Sequence, residues 1–248
     1  MKPSNGVLVT LIGCFGLFIA GQAWSIPGLN NLAVMITVMA VLVLAYYYLL
    51  FEEKGSDTKT IAVLGMLAAL SVAGRVVMAP VPNVQPATFI IITAGYVFGP
   101  LSGFMVGSTT ALVSNFMLGQ GPWTIWQMLA WGLAGLIAGL LGKRNRLEGR
   151  LRLSIFCATW GFIYGAILTF YFVLGFIRPL TFRAFFTAYA TGIWFDAFHA
   201  AGNFAFAFLF GPALVLMLRR YRSRFQFEYA GDLPEKGAAL GGTTGGRP

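Results

Sequence analysis

The sequence predicts an all-α fold, a polytopic membrane helix bundle that takes up almost the whole chain. Hydrophobic residues make up 58% of the sequence and charged residues 10%, with a mean hydropathy of +0.76. Soluble domains carry about a quarter charged residues. Because a helix needs about 20 largely apolar residues to cross a bilayer, the 248 residues accommodate roughly eight crossings and leave no room for a sizeable soluble domain.

Eight apolar runs can be marked along the chain. They are Val7 to Trp24, Leu32 to Phe51, Ile61 to Ala79, Pro86 to Phe98, Leu101 to Leu118, Trp126 to Gly142, Ser154 to Phe176 and Tyr189 to Leu218. The fourth run is short for a full crossing, and Gly99-Pro100 ends it. We predict a short or strongly tilted helix there, followed by a tight turn.

Basic residues between the runs predict the orientation, because cytoplasmic loops hold the excess of Lys and Arg. With the N-terminus inside, fourteen of the 17 basic residues lie on the inner side, and only Arg75, Arg178 and Arg183 stay outside. This pattern predicts a multi-pass protein of the plasma membrane with both termini cytoplasmic. The net charge of +9 is then a topology signal and does not indicate a nucleic-acid partner.

The two ends of the chain allow other interpretations. Gly21-Gln22-Ala23 closes the first apolar run, so this run could be a cleaved signal peptide. Cleavage would leave the later topology unchanged. After Phe225 the sequence is rich in glycine, which predicts a disordered cytoplasmic tail over residues 225–248.

Small residues spaced by four predict close contacts between helices in lipid. Three such stripes occur: the first is Gly65, Ala69 and Ala73, the second is Gly103, Gly107 and Ala111, and the third is Gly135 and Gly139. The last two predict packing inside the bundle. The first stripe has two interpretations, packing or an outward face on which a partner subunit docks.

Polar and aromatic residues gather near the predicted outer face, whereas the loops predicted on the inner side are simply basic. This set comprises Asn83, Gln85, Thr88, Asn115, Gln120, Trp123, Trp126 and Gln127. Tryptophan at a membrane boundary is also expected as an anchor, so Trp123 and Trp126 allow that simpler interpretation. The collective bias favours a polar site on the outer side.

The last run carries the sharpest signal. Asp196, His199 and Asn203 are spaced i, i+3 and i+7, which places them on one face of a helix. An ionised Asp near mid-membrane costs about 2.5–3.5 kcal/mol on insertion scales, so such residues usually face a cavity or a partner. The stripe predicts the wall of an outward-opening solute pocket. Two alternatives stay open: a structural network that pairs Asp196 with His199 or Arg183, and a proton relay.

Enzyme motifs are absent from the sequence. It has no His-Glu-x-x-His, no paired Asp-rich magnesium motif, no P-loop and no nucleophile elbow. Cys14 and Cys157 lie far apart within apolar runs and are predicted to be packing residues. We therefore predict a protein that is not an enzyme and that needs no metal or other cofactor.

Four stretches carry a family resemblance: NVQP at 83–86, GYVFGPLSG at 95–103, GQGPWTIWQM at 119–128 and FDAFHAAGN at 195–203. With them, the chain from Thr60 to Arg220 resembles the substrate-binding membrane subunit, or S component, of energy-coupling factor (ECF) vitamin transporters. The resemblance implies a six-helix substrate-binding core over 57–224. Residues 1–56, with two additional N-terminal transmembrane helices, depart from the family pattern.

The resemblance also implies partners and sites. An S component binds a vitamin at the outer face and works with a transmembrane scaffold subunit and two cytoplasmic ATPases. The residues that would meet the scaffold are Gly65, Ala69 and Ala73. The predicted substrate-binding residues are Asn83, Gln85, Trp123, Gln127, Asp196, His199 and Asn203.

The solute that the motifs favour is a cobalamin-type corrinoid, whose cobalt a lone His199 could approach. A queuosine precursor or another vitamin stays open. The competing hypotheses are a stand-alone proton-coupled carrier that uses Asp196 and His199, and a structural protein without a solute.

Overall fold

The computed structural model describes residues 2–24 and 31–231, and within them every regular element is a helix. The helices are α1 (Pro3–Trp24), α2 (Leu32–Lys54), α3 (Thr58–Val77), α4 (Ala87–Phe98), α5 (Pro100–Leu118), α6 (Trp123–Gly142), α7 (Arg150–Phe176) and α8 (Phe182–Gly231). Each corresponds to one of the eight apolar runs, so the predicted all-helical bundle is confirmed.

Six segments of the described chain are long and apolar enough to cross a membrane. They are Ala33–Lys54, Thr58–Val77, Pro100–Leu118, Trp123–Gly142, Arg150–Phe176 and Phe182–Ser223, with Pro3–Leu17 and Ala87–Phe98 as shorter apolar helices. Contacts between helix termini divide the connections between two ends of the bundle: Glu148 meets Arg219 of α8, whereas Arg75 at the end of α3 meets Asn115 near the end of α5. We call the end that carries the 143–149 loop and the start of α3 the basic end, and the other the opposite end.

Local signals set the helix boundaries near the basic end. The Asp57 carboxylate accepts hydrogen bonds from the Thr60 backbone N–H and hydroxyl, each at 2.7 Å, and so caps α3. Between α4 and α5, Gly99 has a φ of +101°, a conformation that side chains disfavour. Pro100 then starts α5 at the first helical position. The predicted short helix and tight turn are confirmed.

Helices α5 and α6 meet backbone to backbone through the two glycine stripes. A Cβ on Gly135 would overlap the backbone of Gly103, and a Cβ on Gly107 would overlap the carbonyl of Trp131. On Gly139 it would overlap Pro100. The prediction that these two stripes pack inside the bundle is confirmed.

Helix α4 occupies the centre of the bundle. Its residues from Ala87 to Val97 are all buried, and it packs against α3, α5, α6, α7 and α8. With 12 residues it is about 18 Å long, shorter than the hydrocarbon core of about 30 Å. Because α4 does not span the bundle, the α3–α4 loop and the candidate functional site occupy the space on the N-terminal side of Ala87.

The two N-terminal helices form an attached pair. Helix α1 packs against α2, and Ser4 bonds the Glu53 carboxylate through its backbone N–H and its hydroxyl, each at 2.6 Å. Helix α2 reaches the core where Tyr47 stacks on Phe104, with ring centroids 4.4 Å apart. Gly21, Gln22 and Ala23 lie at the end of α1, and cleavage of a signal peptide there stays a prediction.

At the other end of the chain, α8 continues to Gly231, past Phe225 where a disordered tail was predicted to begin. The rest of that predicted tail, residues 232–248, lies outside the described residues.

The glycine contact between α5 and α6 can be tested by substitution. Gly135→Leu forces a side chain into the Gly103 backbone, and overpacking a core typically costs about 1–3 kcal/mol. We expect a lower melting temperature for the detergent-purified chain. Gly65→Leu is the matched control, because a Cβ there meets nothing within 4 Å. Equal melting temperatures for the two variants would refute the close contact.

Candidate solute-binding site

A cavity of about 670 Å³ lies toward the opposite end, between α3, the α3–α4 loop, α6, α7 and α8. Its polar lining residues are Arg75, Asn83, Gln85, Gln127, Thr169, Thr191 and Asp196. Its aromatic lining residues are Tyr164, Phe172 and Phe195. Pockets that hold small-molecule ligands have about 300–1,000 Å³ and combine apolar walls with a few placed polar groups, which describes this cavity.

Asp196 supplies the only carboxylate among the residues that line the cavity. Its residue is 6% exposed, and its carboxylate lies against Gly165 of α7, where a Cβ would overlap it. In the described residues no hydrogen bond or ion pair joins Asp196 to His199 or to Arg183. The carboxylate is thus an acceptor held by packing at the cavity wall and available to a ligand.

Arg75, in the last turn of α3, supplies a buried cation to the same cavity. Its Nη1 donates to the Ser114 hydroxyl and, at 2.7 Å, to the Asn115 Oδ1. The guanidinium also lies over the Trp131 ring, 4.8 Å from the centroid. Within the described chain no carboxylate forms an ion pair with it. Buried charges are usually paired, so neutral partners and the ring leave Arg75 able to bind an acceptor on a ligand.

Asn115 links the Arg75 guanidinium to Gln127. Its Nδ2 donates to Thr124 Oγ1 at 2.8 Å and to Gln127 Oε1 at 2.7 Å. Because the Gln127 oxygen accepts this bond, its NH₂ group supplies the donors for other partners, of which the Tyr164 hydroxyl is one. The network fixes which end of the Gln127 amide is offered to the cavity.

A buried polar cluster lies beneath the cavity. Trp131 Nε1 donates to Thr88 Oγ1 at 3.0 Å, and Thr88 Oγ1 lies 2.9 Å from His199 Nε2. The Tyr164 ring stacks on Trp131 and meets His199 edge-on, with centroids 5.0 and 5.1 Å apart. Tyr164 therefore joins this cluster to the cavity wall.

The seven predicted binding residues fall into two groups. Asn83, Gln85, Gln127 and Asp196 line the cavity, and Asn83 Nδ2 also donates to the Phe195 carbonyl at 2.8 Å. The others do not line it: His199 and Asn203 are fully buried below it, and Trp123 is 40% exposed outside it. Contact of these residues with a solute stays a prediction.

The three predicted docking residues, Gly65, Ala69 and Ala73, are exposed on α3 and do not line the cavity. Ala73 precedes the cavity residue Arg75 by only two positions, but Ala73 is exposed and Arg75 is buried. Residues two apart point to different sides of a helix, so α3 separates Ala73 from the cavity. A role of Gly65, Ala69 and Ala73 in docking stays a prediction.

Sequence reasoning missed Arg75 and Tyr164. Arg75 lies inside the third apolar run, and the rule that singled out Asp196, that an ionisable residue within a span marks a functional site, applies to it equally. The count of basic residues instead groups Arg75 with Arg178 and Arg183 on the outer side. Tyr164 had no comparable signal, because a tyrosine inside a span is common.

Comparison with known proteins gives one family match. Residues 55–219 match the model of the family described as ECF-type riboflavin transporter, S component. No solved structure matches the chain.

Similar curated proteins carry the name UPF0397 protein. One from Vibrio atlanticus is 32% identical over 99 residues, covering 37% of this chain and 54% of that protein. One from Aliivibrio fischeri is 32% identical over 102 residues, covering 38% and 55%. One from Lactobacillus johnsonii is 34% identical over 105 residues, covering 39% and 55%. The chain spans about half the length of the curated relatives it matches.

Proposed function

The chain belongs to the family of ECF-type riboflavin transporter S components, and we propose that it captures a flat heterocyclic vitamin of about the size of riboflavin. Capture occurs in the cavity that Asp196 and Arg75 share. An ECF scaffold subunit and two cytoplasmic ATPases then complete import. One observation carries this proposal: the Asp196 carboxylate, an acceptor, and the Arg75 guanidinium, a donor, lie on the walls of one cavity. Neither has an ion-pair partner among the described residues.

The chemistry of the walls favours a particular edge on the solute. The Asp196 carboxylate only accepts hydrogen bonds and the Arg75 guanidinium only donates them, while the amides of Asn83, Gln85 and Gln127 do both. A ring that carries an N–H beside carbonyl oxygens satisfies all of these groups at once. The riboflavin ring system has such an edge, and its flat faces suit the aromatic rings of Tyr164, Phe172 and Phe195.

A cobalamin-type corrinoid has less support. The corrinoid hypothesis relied on His199 approaching the cobalt, but His199 is fully buried and its Nε2 lies 2.9 Å from the Thr88 hydroxyl. A queuosine precursor, which is also a flat heterocycle with amide-like edges, stays within the proposed class.

The proposed orientation places the basic end in the cytoplasm, as the excess of Lys and Arg favours. The cavity then opens toward the outer face, where a solute arrives. A stand-alone carrier that relays protons from Asp196 to His199 has less support, because these side chains form no hydrogen bond with each other among the described contacts and His199 does not line the cavity.

The proposed scaffold contact is the exposed stripe of Gly65, Ala69 and Ala73 on α3. These three residues line a groove of about 590 Å³ whose other wall is Thr109, Val113 and Met117 of α5. Small residues let the backbones of two membrane helices approach closely. The glycine stripes of α5 and α6 are already packed against each other. The α3 groove is still exposed, so a helix of the scaffold could pack there.

Removing either charged group should weaken vitamin binding. We expect Asp196→Asn and Arg75→Gln each to raise the dissociation constant for riboflavin about ten- to a hundredfold, since a hydrogen bond to a charged group contributes about 1.5–3 kcal/mol. Quenching of riboflavin fluorescence by the purified chain measures this. Arg183→Gln is the control, because Arg183 does not line the cavity. Wild-type affinity in both cavity variants would exclude this site.

A bulky residue in the α3 groove should separate docking from capture. We expect Ala69→Leu to reduce co-purification with the scaffold and ATPases while riboflavin affinity stays within about twofold, because the groove and the cavity share no residue. Ala73→Leu, one turn further along the same stripe, should have the same effect. Ala205→Leu, a matched change at an exposed alanine of α8, should leave assembly intact.

Two outcomes would contradict this assignment of the groove. Loss of riboflavin binding with intact assembly in Ala69→Leu would mean that the stripe faces the wrong way. Proton-driven uptake by this chain alone in liposomes would favour the stand-alone carrier.

A further inference from the structure

A second cleft, of about 300 Å³, opens at the basic end of the bundle, far from the vitamin cavity. It lies between the end of α4, the 143–149 loop, the start of α7 and the part of α8 around Pro212. Its inner walls are apolar, with Leu153, Val215 and Leu216 as the main side chains. None of its lining residues belongs to the vitamin cavity or to the α3 groove.

The floor of the cleft is shaped by Gly211 and Pro212 of α8. A Cβ on Gly211 would come within 3.0 Å of the Leu153 side chain, so the glycine keeps this space from being closed by a side chain of α8. Leu216, beside it, is 53% exposed. The apolar interior of the cleft is therefore open to the surroundings of the bundle, which in a membrane are lipid chains.

The rim of the cleft carries two arginines and one carboxylate, that of Glu148. Arg150 lies at the first position of α7, with its guanidinium 5.0 Å from the centroid of the Phe208 ring, and no acid pairs with it among the described residues. Arg219 donates to the Tyr96 hydroxyl at 2.9 Å and lies 3.5 Å from Glu148. That ion pair is exposed, with side-chain exposures of 44% and 60%, and exposed pairs are weak. A guanidinium has five N–H donors, so Arg219 has donors left for another anion beside these two partners.

From these observations we infer that the cleft binds one anionic phospholipid of the adjacent leaflet, with an acyl chain against Leu153 and Leu216 and the phosphate between Arg150 and Arg219. Apolar walls inside and two guanidinium groups at the rim match the two parts of such a lipid. Guanidinium groups bind phosphate oxygens with paired hydrogen bonds. The start of α7 adds backbone N–H groups that no side chain caps. This inference does not depend on the proposed vitamin.

The experiment compares lipids of equal chain length on the full chain. Purified protein is titrated with phosphatidylglycerol or phosphatidylcholine, and bound lipid is counted by native mass spectrometry. We expect one phosphatidylglycerol to bind at least about tenfold more tightly than phosphatidylcholine, because each basic residue near a membrane surface adds appreciable attraction for an anionic lipid. Millimolar inorganic phosphate should not displace it, since phosphate lacks the acyl chain. Displacement by phosphate alone would overturn the inference.

Matched charge variants locate the lipid. Arg150→Gln combined with Arg219→Gln should abolish the preference for phosphatidylglycerol, whereas Arg144→Gln with Arg146→Gln, the same charge change outside the cleft, should keep it. Arg150→Lys combined with Arg219→Lys keeps both positive charges and should retain most of the preference, which controls for misfolding of the glutamine variant. Equal loss in both glutamine variants would indicate general surface charge and overturn the inference. Unchanged lipid binding with loss of scaffold association would assign the cleft to the scaffold instead.

Discussion

The close approach of α5 and α6 is the contact on which the rest of the bundle depends. Gly103 and Gly107 on one helix face the backbones of Gly135 and Trp131 on the other. In lipid, where apolar side chains gain little by leaving their surroundings, such close packing is a main source of helix association. The same glycines bring Gly95 of α4 against the Gly135 carbonyl, which ties the central helix to this pair.

The position of α4 then determines where a solute site is possible. Because α4 is short and wholly surrounded, the polar residues at its start are buried at depth and meet α8 in the middle of the bundle. Thr88, Trp131 and His199 satisfy one another there. Above them, α3, α6, α7 and α8 line a cavity whose two charges, Arg75 and Asp196, have no ion-pair partner among the described residues. The cavity that we propose as the vitamin site is thus a consequence of the early start of the loop that precedes the short central helix.

Much of this architecture was predictable from the sequence. The apolar runs located all eight helices of the described residues, since a crossing requires an apolar segment of nearly fixed length. The small residues from Gly103 to Ala111 and the pair of Gly135 and Gly139 predicted the α5–α6 contact, because only small residues permit it. Spacing on one helix also identified Asp196 as a cavity residue.

The composition of the site was less predictable. Helical spacing places Asp196, His199 and Asn203 on one face. It does not show that neighbouring helices bury His199 and Asn203, whereas Asp196 lines the cavity. The sequence shows Arg75 as a charge within an apolar run, but it does not show that Ser114 and Asn115 of α5 hold the guanidinium in a buried network. Such relations depend on how helices pack, and periodicity within one helix does not contain them.

We propose that the cavity opens outward and holds a flat vitamin between Arg75 and Asp196, and the accessibility of the cavity in cells tests this most directly. Thr191 lines the cavity and is exposed. With Cys14→Ser as background, Thr191→Cys should react with a membrane-impermeant maleimide added outside the cell, and riboflavin should slow the reaction. Labelling that requires permeabilised membranes, or that neither riboflavin nor another flat heterocyclic vitamin slows, would contradict the account.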